Sequence, residues 1–517
     1  MDSFPWLTAI AVIPLIGAAV IAFLPAGRDL AARKIGLVFA LIPLLMVIAM
    51  ALQFSADSPD EFQFVENVPW IPSFGISYAL GVDGIALVLI AMAVVLVPLV
   101  MIAGWREGDD SLGGGSPKGY VALILALESC LIFVFAATDV FLFYVFFEVM
   151  LIPMFYLIGR YGGPQRSYAA VKFLLYSLLG GLFMLAALIG LYVTSARELG
   201  EGTFDFTALT NLNMDPGTQK MLFLGFFFAF AVKAPLFPFH TWLPDAAAEA
   251  KPGTAVLMIG VMDKVGTFGM IRLCLPIFPA ASAYYAPIII VIAVIGIIYG
   301  ALLAIGQTDI TRLIAYTSIS HFGFIVLGIF AFTSQSMAGS SLYMVNHGFT
   351  TAGLLFIAGF LMSRRGSKYI ADFGGVNKVA PILAGTFLVV GLSSLALPGL
   401  SSFVSEFLVL VGTFTRHPYA ALFATLGIIL AAIYILWLYQ RTMTGPVKDG
   451  CQDFVDLNPR ESMSMAPVIA IIIALGFFPQ VALNVINPAV DRTMTQVEQT
   501  NPPPLVPAAT TSQGGAG

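Results

Sequence analysis

Apolar runs long enough to cross a bilayer follow one another along almost the whole of this 517-residue chain. A helix rising about 1.5 Å per residue needs roughly 20 apolar residues to span the hydrocarbon core. The runs predict spans near 5–25, 33–54, 79–104, 118–137, 139–159, 167–195, 220–249, 254–275, 284–304, 310–331, 338–362, 381–415, 419–440 and 464–486. That makes fourteen, with the seventh and the twelfth interrupted by proline and glycine. In lipid every backbone polar group must be satisfied within the protein, and spans of this length do that as helices. The expected fold class is therefore an all-α polytopic membrane protein. Composition agrees, since 59% of residues are hydrophobic and 10% are charged. The 24 basic and 29 acidic residues cannot solvate the surface of a soluble protein of this length, which excludes a soluble enzyme, a disordered protein and a nucleic-acid binder. What remains outside the spans is short loops and a Pro/Ala/Gly-rich tail, 500–517, expected to be disordered. No basic residue precedes the first apolar run, Pro5–Leu24, which argues against a cleaved signal peptide.

The basic residues carry the orientation. Sixteen fall in odd-numbered loops: Arg28, Arg33, Lys34, Arg106, Lys118, Arg160, Arg166, Lys251, Arg312, Arg364, Arg365, Lys368, Lys378, Arg441, Lys448 and Arg460. Five fall in even loops or at the termini: Arg197, Lys220, Arg272, Arg416 and Arg492. The positive-inside rule then places the odd loops in the cytoplasm and both termini outside. The remaining three of the 24, Lys172, Lys233 and Lys264, fall inside apolar spans. Cys130, Cys274 and Cys451 lie far apart with no CxxC or Cys/His cluster, so no metal centre and no structural disulfide is expected.

A charge at the bilayer centre costs on the order of 3 kcal/mol on insertion scales, so such groups face the bundle interior and point to function. Glu148, Lys264 and His321 sit near mid-span, and Glu128 and His347 are also deep. Lys233 and Glu406 lie beside helix breaks, the first followed by Pro235 and Pro238, the second preceded by Pro398-Gly399. Lys172, Asp83 and Asp139 are shallower, and for them a structural ion pair or an interfacial position remains an open alternative. A lone buried histidine is more often a satisfied core residue, but two on adjacent spans at one depth keep a functional reading open. Acid, amine and imidazole groups sharing one depth suggest a proton relay. A neighbouring carboxylate or burial can set whether a lysine holds its proton, and histidine can pass one between its two nitrogens. Freed backbone groups at a break are tolerated in lipid only where protein or cavity water satisfies them. Two interrupted spans in matching positions of two halves point to the ion site of an inverted-repeat transporter. Spans 4–8 and 9–13 each hold five helices with the broken one fourth, and an odd count inverts the second unit. The expected organisation is 1–117 (spans 1–3), 118–275 (first repeat), 284–440 (second repeat), 441–499 (loop and final span) and the tail.

Several segments then carry a specific resemblance: FLFYVFFEVMLIPMFYLIGRYGG, AVKFLLYSLLGG, AVKAPLFPFHTWLPDAAAEA, DKVGTFGMIR, RLIAYTSISHFGF, MVNHGFTTAGLLF and LALPGLSSFVSEFLVLVG. Together they resemble the antiporter-like membrane subunits of respiratory complex I, in family order and spacing from about Gly81 to Tyr439. The resemblance implies fourteen helices in two inverted five-helix repeats and one proton channel. The channel would be driven by NADH oxidation and quinone reduction in other subunits, where flavin, iron–sulfur clusters and quinone would reside. It implies no cofactor in this chain. Partners would be the neighbouring antiporter-like subunits L and N, lipid, protons and internal water, in a bacterial plasma membrane. By motif, Glu148 matches the fifth-span carboxylate, Lys233 its partner on the broken seventh span, and Lys264 the central eighth-span lysine. His321 and His347 match central-axis histidines, Glu406 the terminal exchange residue of the twelfth span, and Glu128 and Lys172 ionisable positions on spans four and six. Other antiporter-like subunits usually have lysine in place of Glu406, and the chain stops soon after span fourteen, without the long lateral helix expected of subunit L.

Three departures stand out. The usual DAHxEAP run reads Asp245-Ala246-Ala247-Ala248-Glu249-Ala250-Lys251-Pro252, Asp263 replaces an apolar residue before Lys264, and Thr311 replaces a lysine before Arg312. Asp263 need not pair with Lys264, because consecutive helical residues point about 100° apart. Competing readings are a subunit of a sodium/proton antiporter or membrane-bound hydrogenase, a b-type cytochrome with His321 and His347 as haem ligands, and a solute carrier.

Overall fold

The computed structural model describes residues 4–109 and 112–497; the tail expected to be disordered, 500–517, lies outside them. The chain is built of helices: α1 (Trp6–Ala22), α2 (Asp29–Ala51), α3 (Gly84–Ala103), α4 (Pro117–Ala136), α5 (Val140–Tyr161) and α6 (Arg166–Leu199). They continue as α7 (Pro216–Lys233), α8 (Trp242–Glu249), α9 (Pro252–Ile277), α10 (Pro279–Ile305), α11 (Ile310–Phe330) and α12 (Ser334–Arg365). The last are α13 (Pro381–Ser394), α14 (Ser401–Arg416), α15 (Pro418–Met443), α16 (Pro459–Phe477) and α17 (Gln480–Gln496). Eleven of the described helical stretches are long and apolar enough to cross a membrane.

Helix starts follow local chemistry. Asp83, Ser116, Asp139, Asp215, Asp309 and Thr333 each cap a helix by accepting a backbone N–H from its first turn. Asn458 and Glu461 form a reciprocal capping box at α16. Proline at the first helical position of α4, α7 and α16 costs no hydrogen bond, because that N–H has no helical partner.

Two expectations are corrected. The span expected at 79–104 begins as a helix only at Gly84, because Ile76–Val82 is a strand (β2) paired antiparallel with Gln63–Ile71 (β1). The backbone there is satisfied across a two-stranded hairpin whose second strand is largely buried against the helices. The last span, expected to run through 464–486, ends at Phe477, and Pro479 separates it from the more polar α17. Arg492 of α17 donates to the carbonyls of Ser58 and Glu61, fastening that helix beside the hairpin.

The bundle is apolar outside and carries its charges inside. Leu175, Leu182, Ile288, Val291, Leu422 and Ile429 face outward, while Glu128, Lys233, Asp263 and Lys264 are fully buried. Such a surface is solvated by lipid rather than water. Ion pairs hold both ends of the bundle. Lys172 and Arg312 share Asp245, Lys368 bridges Asp309, and Arg364 pairs with Glu461 at one end; Arg272 pairs with Asp83 at the other. Beside the first of these ends, in the loop after α3, Glu107 accepts the Tyr120 hydroxyl and the Gly253 N–H at the start of α9. Burial pushes its carboxyl above the usual carboxylate range, and those two hydrogen bonds oppose the shift. The Arg272–Asp83 pair, 2.7 Å apart, has side chains only 7% and 9% exposed. Arg272→Met strands the Asp83 carboxylate and is expected to destabilise the protein by about 3–5 kcal/mol. Thermal inactivation of the purified protein, compared with wild type, measures this.

Candidate functional site

The two interrupted spans build the site. In the first, α7 ends at Lys233, and Ala234–Thr241 turns into α8. The backbone groups freed by Pro235 and Pro238 are satisfied within the protein: Leu236 N–H donates to the Ala231 carbonyl, and the Trp242 indole donates to the Val232 carbonyl at 2.9 Å. In the second, α13 ends at Ser394, and the chain passes Ala396 (φ 58°) and Gly399 (φ 92°) before α14. Leu397 N–H donates to the Leu392 carbonyl, and Asn346 of α12 donates its amide to the Ser401 carbonyl at 2.7 Å. Between the breaks runs α9, wholly buried, with π-helical turns at Val256–Met262 and Met270–Cys274. Such turns displace backbone hydrogen bonds and often mark functional positions. Here the Lys264 ammonium reaches back 2.5 Å to the Ile259 carbonyl.

On the α7 side, Lys233 is fully buried and its Nζ has no hydrogen-bond partner. It lies 5.0 Å from the Phe147 ring centre and 5.7 Å from that of Phe173. Glu148 and Lys233 interact electrostatically without a direct hydrogen bond. Glu148 rests against Gly181 of α6, where an added Cβ would come within 1.7 Å of its carboxylate oxygen and displace that carboxylate. Lys172 stands apart from this pair, bound to Asp245 at 2.7 Å at the end of the bundle. Glu128 is fully buried in α4 with neither oxygen hydrogen-bonded.

On the far side of α9 the groups come together. Lys264 Nζ lies 2.7 Å from His347 Nδ1, and the His347 and His321 ring centres are 5.3 Å apart. His321 Nε2 faces the Tyr434 hydroxyl at 3.3 Å, its ring lies 5.7 Å from that of Tyr343, and Tyr343 donates to Glu406 at 3.2 Å. A buried row of neighbouring groups therefore runs Lys264–His347–His321–Tyr343–Glu406, hydrogen-bonded at its two ends and with His347 Nε2 and His321 Nδ1 unpartnered between them, ending beside the second break. The direct contact of the two imidazoles leaves no slot for a haem plane between them. Among the described residues no group of three or more His, Cys, Asp and Glu side chains is placed to hold a metal ion.

Three members of the site escaped the sequence reading. Tyr343 precedes His347 by one helical turn, so its place on the same face was readable from spacing. Tyr434 comes from α15, and nothing in the sequence ties it to His321. His240 sits inside the first break, buried, stacked near Phe237 and Tyr299, with neither ring nitrogen hydrogen-bonded and within electrostatic reach of Lys172. Asp263 was visible only as an oddity beside Lys264; here it is fully buried with both oxygens unpartnered.

Comparison with known proteins bears on this arrangement. The family model described as NADH:quinone oxidoreductase/Mrp antiporter, transmembrane, matches residues 137–433, which include both breaks and every member of the line. A Mycobacterium tuberculosis protein named NADH-quinone oxidoreductase subunit M is 53% identical, over 98% of this chain and 97% of that one. A chain in the structure of respiratory complex I from Thermus thermophilus superposes with TM-score 0.86 at 30% identity, covering 95% of this chain and 99% of that one. A chain of an Mrp complex from a Dietzia species superposes with TM-score 0.82 at 20% identity, over 95% and 98% of the two chains, a likeness of fold.

Proposed function

The chain belongs to the NADH:quinone oxidoreductase/Mrp antiporter transmembrane family, among the relatives named subunit M, and we infer that it is a proton-translocating membrane subunit of NADH-quinone oxidoreductase. It is a multi-pass membrane protein acting within a larger assembly. Oxidation of NADH and reduction of quinone take place on cofactors in other subunits, and this chain carries protons. The observation that supports a relay through it is the row of buried ionisable and hydroxyl groups from Lys264 to Glu406, hydrogen-bonded at its two ends.

In this reading Glu148 and Lys233 form the switch. A carboxylate close to the lysine holds it as the ammonium, and withdrawal or neutralisation of that carboxylate lets the proton leave. Lys264 receives it and passes it to His347, whose second ring nitrogen has no hydrogen-bond partner and can hand a proton on. His321 and the Tyr343 hydroxyl continue the path to Glu406, the exchange group at the second break. Gaps longer than a hydrogen bond are crossed through internal water. Lys172, His240 and Glu128 line the approaches to this path. The two five-helix units, 118–275 and 284–440, each interrupted in the fourth helix, support an inverted repeat. We further infer that the chain binds no cofactor of its own and that subunits L and N flank it. It lies in the bacterial plasma membrane with both termini outside, as the excess of basic residues in odd loops supports.

Glu406→Gln keeps the shape and the hydrogen bond with Tyr343 but removes the titrating group. Proton-relay groups are typically worth about 10²–10⁴-fold; for the terminal group of the line, where the glutamine keeps the shape, a loss of about three- to tenfold in pumping rate is expected. Acidification of inverted membrane vesicles on NADH addition, normalised to assembled complex, reads it. Full assembly with wild-type pumping would remove Glu406 from the path. Co-purification of flavin and iron–sulfur proteins with NADH dehydrogenase activity separates this reading from an Mrp-type antiporter, whose fold the chain shares.

A further inference from the structure

A gap separates Lys233 at the first break from Lys264 on α9, where the line to Glu406 begins. Asp263 stands in it. The Gly266 N–H donates to the Asp263 carbonyl at 3.2 Å, an i to i−3 turn that sets residue 263 directly beneath residue 266. Gly266 is pressed against the end of α7: a Cβ there would fall 2.6 Å from the Ala234 nitrogen and the Phe230 carbonyl. Gly269, one turn on, meets the Phe230 ring at 2.5 Å in the same sense. The stripe 263–266–269 therefore faces α7, and its polar member opens toward the break at Lys233. The next residue, Lys264, points away to His347 on α12.

Asp263 is fully buried, neither carboxylate oxygen has a hydrogen-bond partner, and Lys233 Nζ has none either. Among the described residues, the charges that act on Asp263 are those of Lys264 and, less strongly, Lys233, so it lies within reach of both. An unpaired carboxylate in a protein interior costs several kcal/mol, a cost with no structural return here because neither oxygen makes a hydrogen bond. We propose that Asp263 is a proton-carrying carboxylate joining the Lys233 site to the Lys264–His347 line. The proton leaves the Lys233 ammonium, crosses water to the Asp263 carboxylate and leaves a neutral amine behind. The resulting carboxylic acid then delivers the same proton to neutral Lys264, which becomes the ammonium, and Asp263 returns to carboxylate. The step deepens the relay reading and rests on it.

The test uses the intact complex in membrane vesicles, with NADH-driven pumping and NADH:quinone turnover expressed per assembled complex. Asp263→Asn preserves size and polarity but cannot carry the proton, and turnover is expected to fall about three- to tenfold. Asp263→Glu restores a titrating group and is expected to recover at least half of the lost rate. Asp263→Leu, which removes the buried charge and needs no hydrogen bond, assembles at least as well as wild type and shows the same loss as Asp263→Asn. Lys233→Ala serves as the reference. Impaired Lys233→Ala with wild-type rates in Asp263→Asn and Asp263→Leu overturns the role of Asp263 alone, whereas wild-type pumping in Lys233→Ala overturns the relay reading beneath it. Failure of all three Asp263 variants to assemble would assign the residue to folding and also overturn the proposal.

Discussion

Lys233→Ala in the intact complex is expected to cut proton pumping and the coupled NADH:quinone oxidoreductase activity by about tenfold or more while the complex still assembles. The lysine ends α7 at the first break, fully buried, with aromatic rings for neighbours and no hydrogen-bond partner for its Nζ. Removing it deletes an unpaired buried donor along with some packing, so the structural cost is modest. The functional cost is large, because Glu148 and Asp263 lose the cation that both interact with. Lys233→Arg sharpens the result. Arginine keeps a permanent positive charge there but does not release its proton in proteins, so a relay fails with arginine as it fails with alanine. A structural ion pair would instead be largely rescued. Vesicle acidification per NADH oxidised, measured for both variants against wild type, decides between the two.

Lys264→Met carries the second large effect, again about tenfold or more on coupled turnover. Methionine matches the length of the side chain but leaves the Ile259 carbonyl and His347 Nδ1 without their donor. Each stranded group costs about 1–3 kcal/mol, so a lower thermal midpoint should accompany the loss of activity. The 2.7 Å contact also fixes protonation states. When Lys264 is the ammonium it donates to His347 Nδ1, and His347 is then neutral with its proton on Nε2. Passing a proton onward requires the two residues to act together, so their effects should not add. His347→Ala is expected to lose several-fold in turnover, and the Lys264→Met/His347→Ala double variant should be no slower than Lys264→Met. Multiplying losses would place the two residues on separate paths.

Much of this protein was legible before any coordinates. The apolar runs require helices because lipid offers no partner to an unpaired backbone group. The charges left over inside those runs had to face the interior, and Glu128, Lys233, Lys264, His321, His347 and Glu406 are all buried there. The breaks after Lys233 and before Glu406 were written in their prolines and glycine. Local chemistry also set the caps, where a side chain meets an N–H two or three residues away.

What required the tertiary structure was everything that depends on partners distant in sequence. Lys172, shallower than Lys233 and open by sequence to either role, is held by Asp245, 73 residues away, and so belongs to an ion pair at the end of the bundle. Tyr434 meets His321 across 113 residues. The hairpin that delays α3 to Gly84 depends on pairing with Gln63–Ile71, which apolar content alone does not reveal. Asp263 is the clearest case. Its neighbour in sequence is Lys264, yet the glycine stripe of α9 turns it toward α7 and the break at Lys233. Hydropathy and spacing determine which groups are buried and on which helical face. Which buried group meets which is set by how the helices pack, through close approaches such as Gly266 against Ala234.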